Sequence, residues 1–195
     1  MTAEQQALRA KIGTLTPKAY QALARRLEVE HWQSVNQFCG RCGAPMRPHG
    51  NPNELALVCP DCGHTAYPSL SPAVIVLVTK GERILLQRNA HYGIPNWTLV
   101  AGFLEPGETL EDAVVREVRE EASIELRDIR YFASQPWPFP STLMVAFQAE
   151  WAGGELTPDG EEIIQSGWFG RDNLPELPLR GSIARTLIDT WLTRA

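Results

Sequence analysis

Apolar side chains recur at helical spacing between residues 110 and 122, where Leu110, Ala113, Val114, Val118 and Ala122 form one stripe. Thr109 precedes the stripe and Asp112 follows three residues later, which predicts a capped helix start. Upstream, Ala73 to Val78 reads as a buried strand, Lys80-Gly81-Glu82 as a turn and Arg83 to Arg88 as the hairpin partner. Trp97 to Val100 reads as a short strand. Ile129 to Ser134 and Leu143 to Trp151 read as longer ones, the second ending at Gly153-Gly154, and Trp168-Phe169 marks a last strand. Residues 182–193 predict a closing helix with Ile183, Leu187, Ile188, Trp191 and Leu192 on one face. At the other end, residues 1–36 are helix-prone. Thr16 before Pro17 is a start signal, and Leu23, Leu27 and Trp32 make an apolar face suited to packing or to a dimer surface.

A chain of 195 residues buries a real core in one or two domains, and 44% hydrophobic with 21% charged residues is ordinary for a globular protein. The longest apolar run, Ala73 to Val78, is too short to cross a membrane, and MTAEQQALRAK lacks a secretory pattern. A soluble, cytoplasmic protein without membrane partners is expected. The net charge of -5 argues against a general nucleic-acid binder. Its distribution is uneven: residues 1–50 carry +4 and residues 51–195 carry -9.

The acidic part contains an unusual helix face. Glu117, Glu120 and Glu121 share one arc away from the apolar stripe, where like charges destabilise a helix by roughly 0.2–0.5 kcal/mol per pair. A solvated face laced with salt bridges accounts for part of this, because Asp112, Arg116 and Glu120 stand at successive four-residue steps. It leaves Glu117 against Glu121 uncompensated. A hard dication, Mg²⁺ or Mn²⁺, resolves the conflict. A glycine-containing loop from Gly102 to Gly107, with Glu108 after it, leads into the helix N-terminus and suits an anionic ligand. Acids beside an anion-binding turn point to chemistry on phosphates.

All four cysteines fall in two C-x-x-C pairs, Cys39/Cys42 and Cys59/Cys62, sixteen residues apart. Gly43 and Gly63 follow the pairs and permit tight turns whose N–H groups point at sulfur. This spacing suits a structural, tetrahedral Zn²⁺. Two disulfides are disfavoured in a reducing compartment, and a redox C-x-x-C lacks its βαβ context. His64 is adjacent but unnecessary with four cysteines, and His49 reads as a surface loop residue.

Glycine, five residues, Glu108, seven residues, Arg116-Glu117-Val118-Arg119-Glu120-Glu121 and, after two more, Ile124: this order resembles the Nudix box. Ser123 departs from it, standing where the family has the glycine that ends the helix. Downstream, SQPWPFP (134–140) followed by Ser141-Thr142 alternates prolines with aromatics, which stiffens a backbone and presents rings suited to stacking on a heterocycle. A stiff connector or a polyproline ligand is the bland alternative, disfavoured because the stretch joins two core strands. The array is similar to SQPWPFPxS of the NADH pyrophosphatase subfamily, with Thr142 for the last serine, and a zinc ribbon ahead of the Nudix domain is a second mark of that subfamily.

The resemblance covers residues 37–195 and implies an α/β/α sandwich with a mixed sheet. The expected organisation is a helical segment (1–36), a zinc ribbon (37–67) and a Nudix domain (68–195). Family members usually carry a further N-terminal domain of about a hundred residues, where this sequence has only the helical segment. The implied reaction is hydrolysis of NADH or NAD⁺ to a nicotinamide mononucleotide and AMP by a homodimer using Mg²⁺ or Mn²⁺. Glu117, Glu120, Glu121 and a late acid, Glu162 with Glu161 as runner-up, are the expected metal ligands. Glu121 or Glu162 is the expected base, while Glu108 and Arg116 position the helix and its acids. Similarity assigns substrate binding to Phe103, Tyr67 (from a partner subunit in one arrangement), Gln135, Trp137, Thr142 and Ala184; Phe103 and Tyr67 have core roles as the alternative. Rival readings are ADP-ribose as substrate, removal of an NAD cap from RNA, and a non-catalytic nucleic-acid module built on the ribbon.

Overall fold

The computed structural model describes residues 2–89 and 97–194. The chain folds as two compact units, one of residues 1–9, 15–71 and 136–142, the other of residues 10–14, 72–135 and 143–195. The proline-aromatic segment thus belongs with the N-terminal unit, although it connects two strands of the second.

Helix α1 (Ala3–Lys11) begins in the N-terminal unit, a short 3-10 turn counted with the second unit follows it, and helix α2 (Pro17–Val35) belongs to the N-terminal unit. Thr16 caps α2, its side chain accepting the Ala19 N–H, with Pro17 in the first helical turn where a missing N–H costs nothing. Tyr20, Ala24, Leu27 and Trp32 are the buried residues of α2, and Leu23 is only half-buried. Three two-residue strands, β1 (Arg47–Pro48), β2 (Leu57–Val58) and β3 (Thr65–Ala66), pair antiparallel in that order around the cysteines.

The second unit is built on β4 (Ser71–Lys80), which is buried from Ala73 to Val78 because both its faces are covered. Val74, Val76 and Val78 pack with Leu85 and with Ala113, Val114, Val118 and Ala122 of α3 (Leu110–Ala122). Ile75 and Leu77 pack on the other side with Ile84, Leu86 and with Ile183, Ala184, Leu187, Ile188 and Trp191 of α4 (Ile183–Thr193). This two-residue alternation makes the α/β/α sandwich. The other strands are β5 (Arg83–Asn89), β6 (Val100–Phe103), β7 (Glu125–Trp137), β8 (Thr142–Gly153) and β9 (Ile163–Gly170). The order is β7-β8-β4-β5-β9, with β6 also pairing to β4.

Two local features differ from the sequence expectation. The short strand before the box runs from Val100 to Phe103 rather than from Trp97 to Val100, because Ala73 to Val76 pair with Phe103 to Val100. Gly102 therefore lies in a strand, not a loop. Strand β7 begins at Glu125 and runs through Trp137, well beyond the expected Ile129–Ser134.

Helix α3 ends on Ser123, which adopts the left-handed conformation (φ 58°, ψ 29°) and donates its N–H to the Arg119 carbonyl. The turn keeps the geometry that glycine adopts freely, at a steric cost to a residue bearing a Cβ. Gly154 packs against this turn: a Cβ there would meet the Ser123 carbonyl oxygen at 2.7 Å. Ser123→Gly is expected to raise stability by about 0.5–1 kcal/mol, the relief of the left-handed strain exceeding the added freedom of the unfolded chain. Urea denaturation checks this, and an unchanged or lower midpoint would refute the strain.

Candidate active site and metal centre

Thr109 and Asp112 form a reciprocal capping box at the start of α3: the Asp112 N–H donates to Thr109 Oγ1 and the Thr109 N–H to the Asp112 carboxylate. Glu105 donates its N–H to Glu108 Oε2 at 2.9 Å. These turn donors serve the chain's own acids rather than standing free for an anion.

The apolar stripe presses α3 against the sheet and carries two acids down with it. Glu117 and Glu121 are only 9% and 5% exposed, whereas the Glu120 side chain is 59% exposed. Glu117 lies directly over Gly102 of β6, where any Cβ would overlap its carboxylate. The first glycine of the box is thus a cradle for the first glutamate of the helix.

Arg116 organises the acids. It donates to Glu108 through Nε (2.6 Å) and Nη2 (2.9 Å), to Glu117 through Nη1 (2.8 Å), to Glu120 through Nη1 (3.0 Å) and to the Phe103 carbonyl through Nη2 (2.8 Å). The bidentate fork holds Glu108 down to a pKa of about 2, and Glu108 in turn raises that of Arg116. Asp112, spent in the capping box, does not take the four-residue pairing to Arg116 expected from spacing.

Glu121 has no arginine. Its Oε2 accepts from Gln87 Nε2, on β5. Leu85 packs on the α3 side of the sheet, and two-residue alternation places Gln87 there as well. Gln87 is 2% exposed, and its Oε1 has no hydrogen-bond partner among the described residues. Burial pushes Glu121 up to about 8, against the Gln87 hydrogen bond, with Glu117, Glu162 and Asp159 adding repulsion. Glu117 is also raised, first by burial, with Arg116 opposing and Glu120 and Glu162 adding to the rise. Glu162, just before β9, thus lies in the electrostatic field of both buried acids. Asp159 Oδ1 accepts the N–H groups of Glu161, Glu162 and Ile163 at 2.8–3.1 Å and fixes that turn. The Asp159-Gly160 pair is a turn signal that reading for acids alone passed over.

The acids fit a dication in chemistry rather than in a preformed cage. Two carboxylates are buried among other acids, and Glu117 and Glu121 each use one oxygen in the hydrogen bonds described, leaving a second as a possible ligand. Among the described residues no acid cluster is as tight as the cysteine set.

The expected substrate residues divide. Phe103 and Tyr67 are 59% and 56% exposed, so neither is core; the Tyr67 hydroxyl donates to Glu54 at 2.7 Å. Trp137 is half-buried, with Phe139 edge-on at 4.9 Å. Gln135 has both ends of its amide engaged, donating to the Gly181 carbonyl (2.9 Å) and accepting the Ile183 N–H (2.8 Å). It ties the end of β7 to the start of α4. Thr142 and Ala184 are buried, Ala184 within the α4 core.

In the ribbon, the four Sγ atoms lie within 4.8 Å of one another, with Cys39–Cys62 at 3.7 Å and Cys42–Cys59 at 3.4 Å. Tetrahedral Zn–S bonds of about 2.3 Å place sulfurs about 3.8 Å apart, so the set fits zinc. Gly43 and Gly63 adopt positive φ (79° and 73°), but their N–H groups bond the Cys39 and Cys59 carbonyls; N–H groups of other residues, Arg41 on Cys39 among them, meet the sulfurs. The Ala44 N–H favours the Cys42 thiolate, yet the Cys59, Cys62 and Cys39 thiols push Cys42 up to about 12, a conflict that a bound cation removes. Cys39→Ser is expected to cost on the order of 3 kcal/mol or more in folding stability while sparing the turnover of molecules that remain folded. Denaturation followed beside activity checks this, and lost catalysis in a stable fold would refute a structural role.

The NUDIX domain family model matches residues 69–190 and the NADH pyrophosphatase zinc ribbon domain model residues 35–67. An NAD-capped RNA hydrolase NudC of Stutzerimonas stutzeri is 46% identical over 192 residues, 98% of this chain and 69% of that protein. A protein of the same name from Pseudomonas aeruginosa is 47% identical over 167 residues, 86% of this chain and 59% of that protein. The chain therefore spans some three-fifths to two-thirds of the length of these relatives. The crystal structure of a NUDIX hydrolase from Nitrosomonas europaea superposes with a TM-score of 0.67 at 25% identity, covering 80% of this chain and 90% of that one. Fold, box and ribbon agree, and the chain belongs to the NUDIX hydrolase family, with an NADH pyrophosphatase zinc ribbon ahead of its catalytic domain.

Proposed function

We propose that this chain hydrolyses the diphosphate of an NAD-type dinucleotide, giving a nicotinamide mononucleotide and AMP. The observation that carries the reading is the burial of Glu117 and Glu121 side by side on α3, an arrangement unfavourable to folding and suited to gathering dications. Glu117, Glu120, Glu121 and Glu162 are the residues to hold Mg²⁺ or Mn²⁺, which when bound neutralises diphosphate charge and makes the attacking water more acidic. Arg116 holds Glu117 and Glu120 in place, and Gln87 holds Glu121. Glu121 or Glu162 takes the proton of the water. We assign Phe103, Trp137 and Tyr67 to stacking on the bases, and Gln135, Thr142 and Ala184 to substrate binding by resemblance.

The same chemistry on an NAD cap of RNA is the second reading, favoured by the relatives' names and by the +4 balance of residues 1–50. A homodimer is the form we assign, with exposed Val35, Phe38 and Leu70 of the N-terminal unit as its apolar surface. A cytoplasmic, reducing setting accords with four free thiols gathered at metal spacing.

Incubation with Mg²⁺ or Mn²⁺ and equimolar NADH, NAD⁺, ADP-ribose and NAD-capped RNA is expected to release AMP from free dinucleotide fastest. Faster turnover of capped RNA would establish the second reading, and faster ADP-ribose turnover would refute both. Glu120→Gln and Glu121→Gln are each expected to lower kcat by about 10²–10⁴-fold without loss of fold, read from steady-state rates beside thermal melts.

The raised pKa of Glu121 gives a pH dependence. Its neutral form dominates below about 8, whereas a dication takes the carboxylate, so binding releases a proton and strengthens as pH rises towards that value. Titration calorimetry at pH 7 in buffers of differing ionisation enthalpy is expected to detect release of about one proton per chain. Binding without proton release would show that Glu121 is already ionised in the free protein.

A further inference from the structure

The proline-aromatic segment leaves the sheet at Trp137, where β7 ends, and its prolines weaken its own hold there. Pro136, Pro138 and Pro140 lack an N–H and so cannot donate to a sheet ladder. Trp137 uses its carbonyl within the segment, accepting the Phe139 N–H at 2.7 Å. The carbonyls on either side of Trp137 go elsewhere. Pro136 accepts from the Tyr20 hydroxyl of α2 at 2.6 Å, and Pro138 accepts from Gln5 Nε2 of α1 at 3.0 Å.

Both donors are built into the N-terminal unit. Tyr20 is 6% and Gln5 is 5% exposed, rare burial for polar groups unless their bonds are made. The other end of Gln5 is also used: Oε1 accepts the Thr2 N–H at 2.8 Å while Thr2 Oγ1 accepts the Gln5 N–H at 3.2 Å, a reciprocal cap at the start of α1. One end of this side chain fixes the helix and the other reaches the segment. Trp137 is thereby pinned by its two neighbours, and its ring is set edge-on against Phe139.

We infer that Gln5 and Tyr20 are positioning residues for substrate binding: the N-terminal helices orient the Trp137 ring through the carbonyls of Pro136 and Pro138. The inference rests on the reading of Trp137 as a platform for a base. It gives residues 1–20 a part in specificity that no box or ribbon motif assigns.

Tyr20→Phe removes one oxygen. Gln5→Met removes the donor to Pro138 at similar volume, together with the acceptor for the N–H of exposed Thr2, so neither variant buries a charge. Each is expected to raise KM for NADH roughly three- to tenfold, the loss of one neutral hydrogen bond, with kcat within about twofold of the parent. In a Trp137→Ala background the same substitutions are expected to shift KM by less than about 1.5-fold, since the ring they orient is gone. Unchanged KM in either folded variant, or an undiminished rise in the Trp137→Ala background, would overturn the inference. Either variant alone decides it, so misfolding of one leaves the other. Parental KM in Trp137→Ala itself would remove the platform reading instead, and with it the inference.

Discussion

The molecule turns on one conflict within α3: the face that packs on the sheet also has to carry anions. Burying a carboxylate costs several kcal/mol unless a partner offsets it, and α3 buries two. Its hydrophobic stripe leaves no choice, because Ala113, Val114, Val118 and Ala122 are all fully covered and Glu117 and Glu121 lie on adjacent arcs. Each acid is relieved differently. Glu117 shares Arg116 and the space over Gly102, while Glu121 accepts from the neutral amide of Gln87. The difference produces two carboxylates of unlike basicity one helical turn apart, the usual way a protein divides roles between chemically identical groups.

The sheet makes this arrangement possible. Because β4 is covered on both faces, its alternate residues bind α3 and α4 to opposite sides of one strand. The strands beside it then deliver Gly102 and Gln87 to the underside of α3 at fixed heights. Arg116 closes the constellation from the solvent side with five hydrogen bonds, four to carboxylates and one to the Phe103 carbonyl. The same guanidinium that keeps the acids apart also fixes the backbone from which the exposed Phe103 ring projects.

The helices and long strands were legible in the sequence because their patterns are periodic and their caps are local: Thr109, Thr16 and the Ala73–Val78 run each carry their own signal. The left-handed turn at Ser123 was not legible in this way: serine in place of the box glycine put the end of the helix in question, and the turn keeps its geometry all the same. What could not be read were contacts set by register. The Trp97–Val100 window looked strand-like from its apolar content, but pairing to β4 moved the strand onto Gly102 and so onto Glu117. Gln87 carried no signal of its own within the hairpin strand; only the approach of α3 makes it the partner of Glu121. Gln135 looked free to meet a ligand, and a contact with Gly181 and Ile183, some 46 residues away, occupies it. Polar side chains with long-range partners leave no periodic trace.

The two metal-suited sites are kept apart by chemistry as well as by sequence. The ribbon offers four sulfurs at tetrahedral spacing, which suit Zn²⁺ and are poor ligands for Mg²⁺. The acids of α3 offer oxygen alone, from side chains of unequal burial, and suit a hard cation that keeps water and phosphate among its ligands. A closed sulfur site has no position for substrate, so its contribution is to hold β1, β2 and β3 together. An oxygen site with an exposed member such as Glu120 leaves room for the water and phosphate ligands that such a cation would keep. Sulfur thus suits the ribbon's ion to the fold, and oxygen suits the acids of α3 to the ion proposed for the reaction.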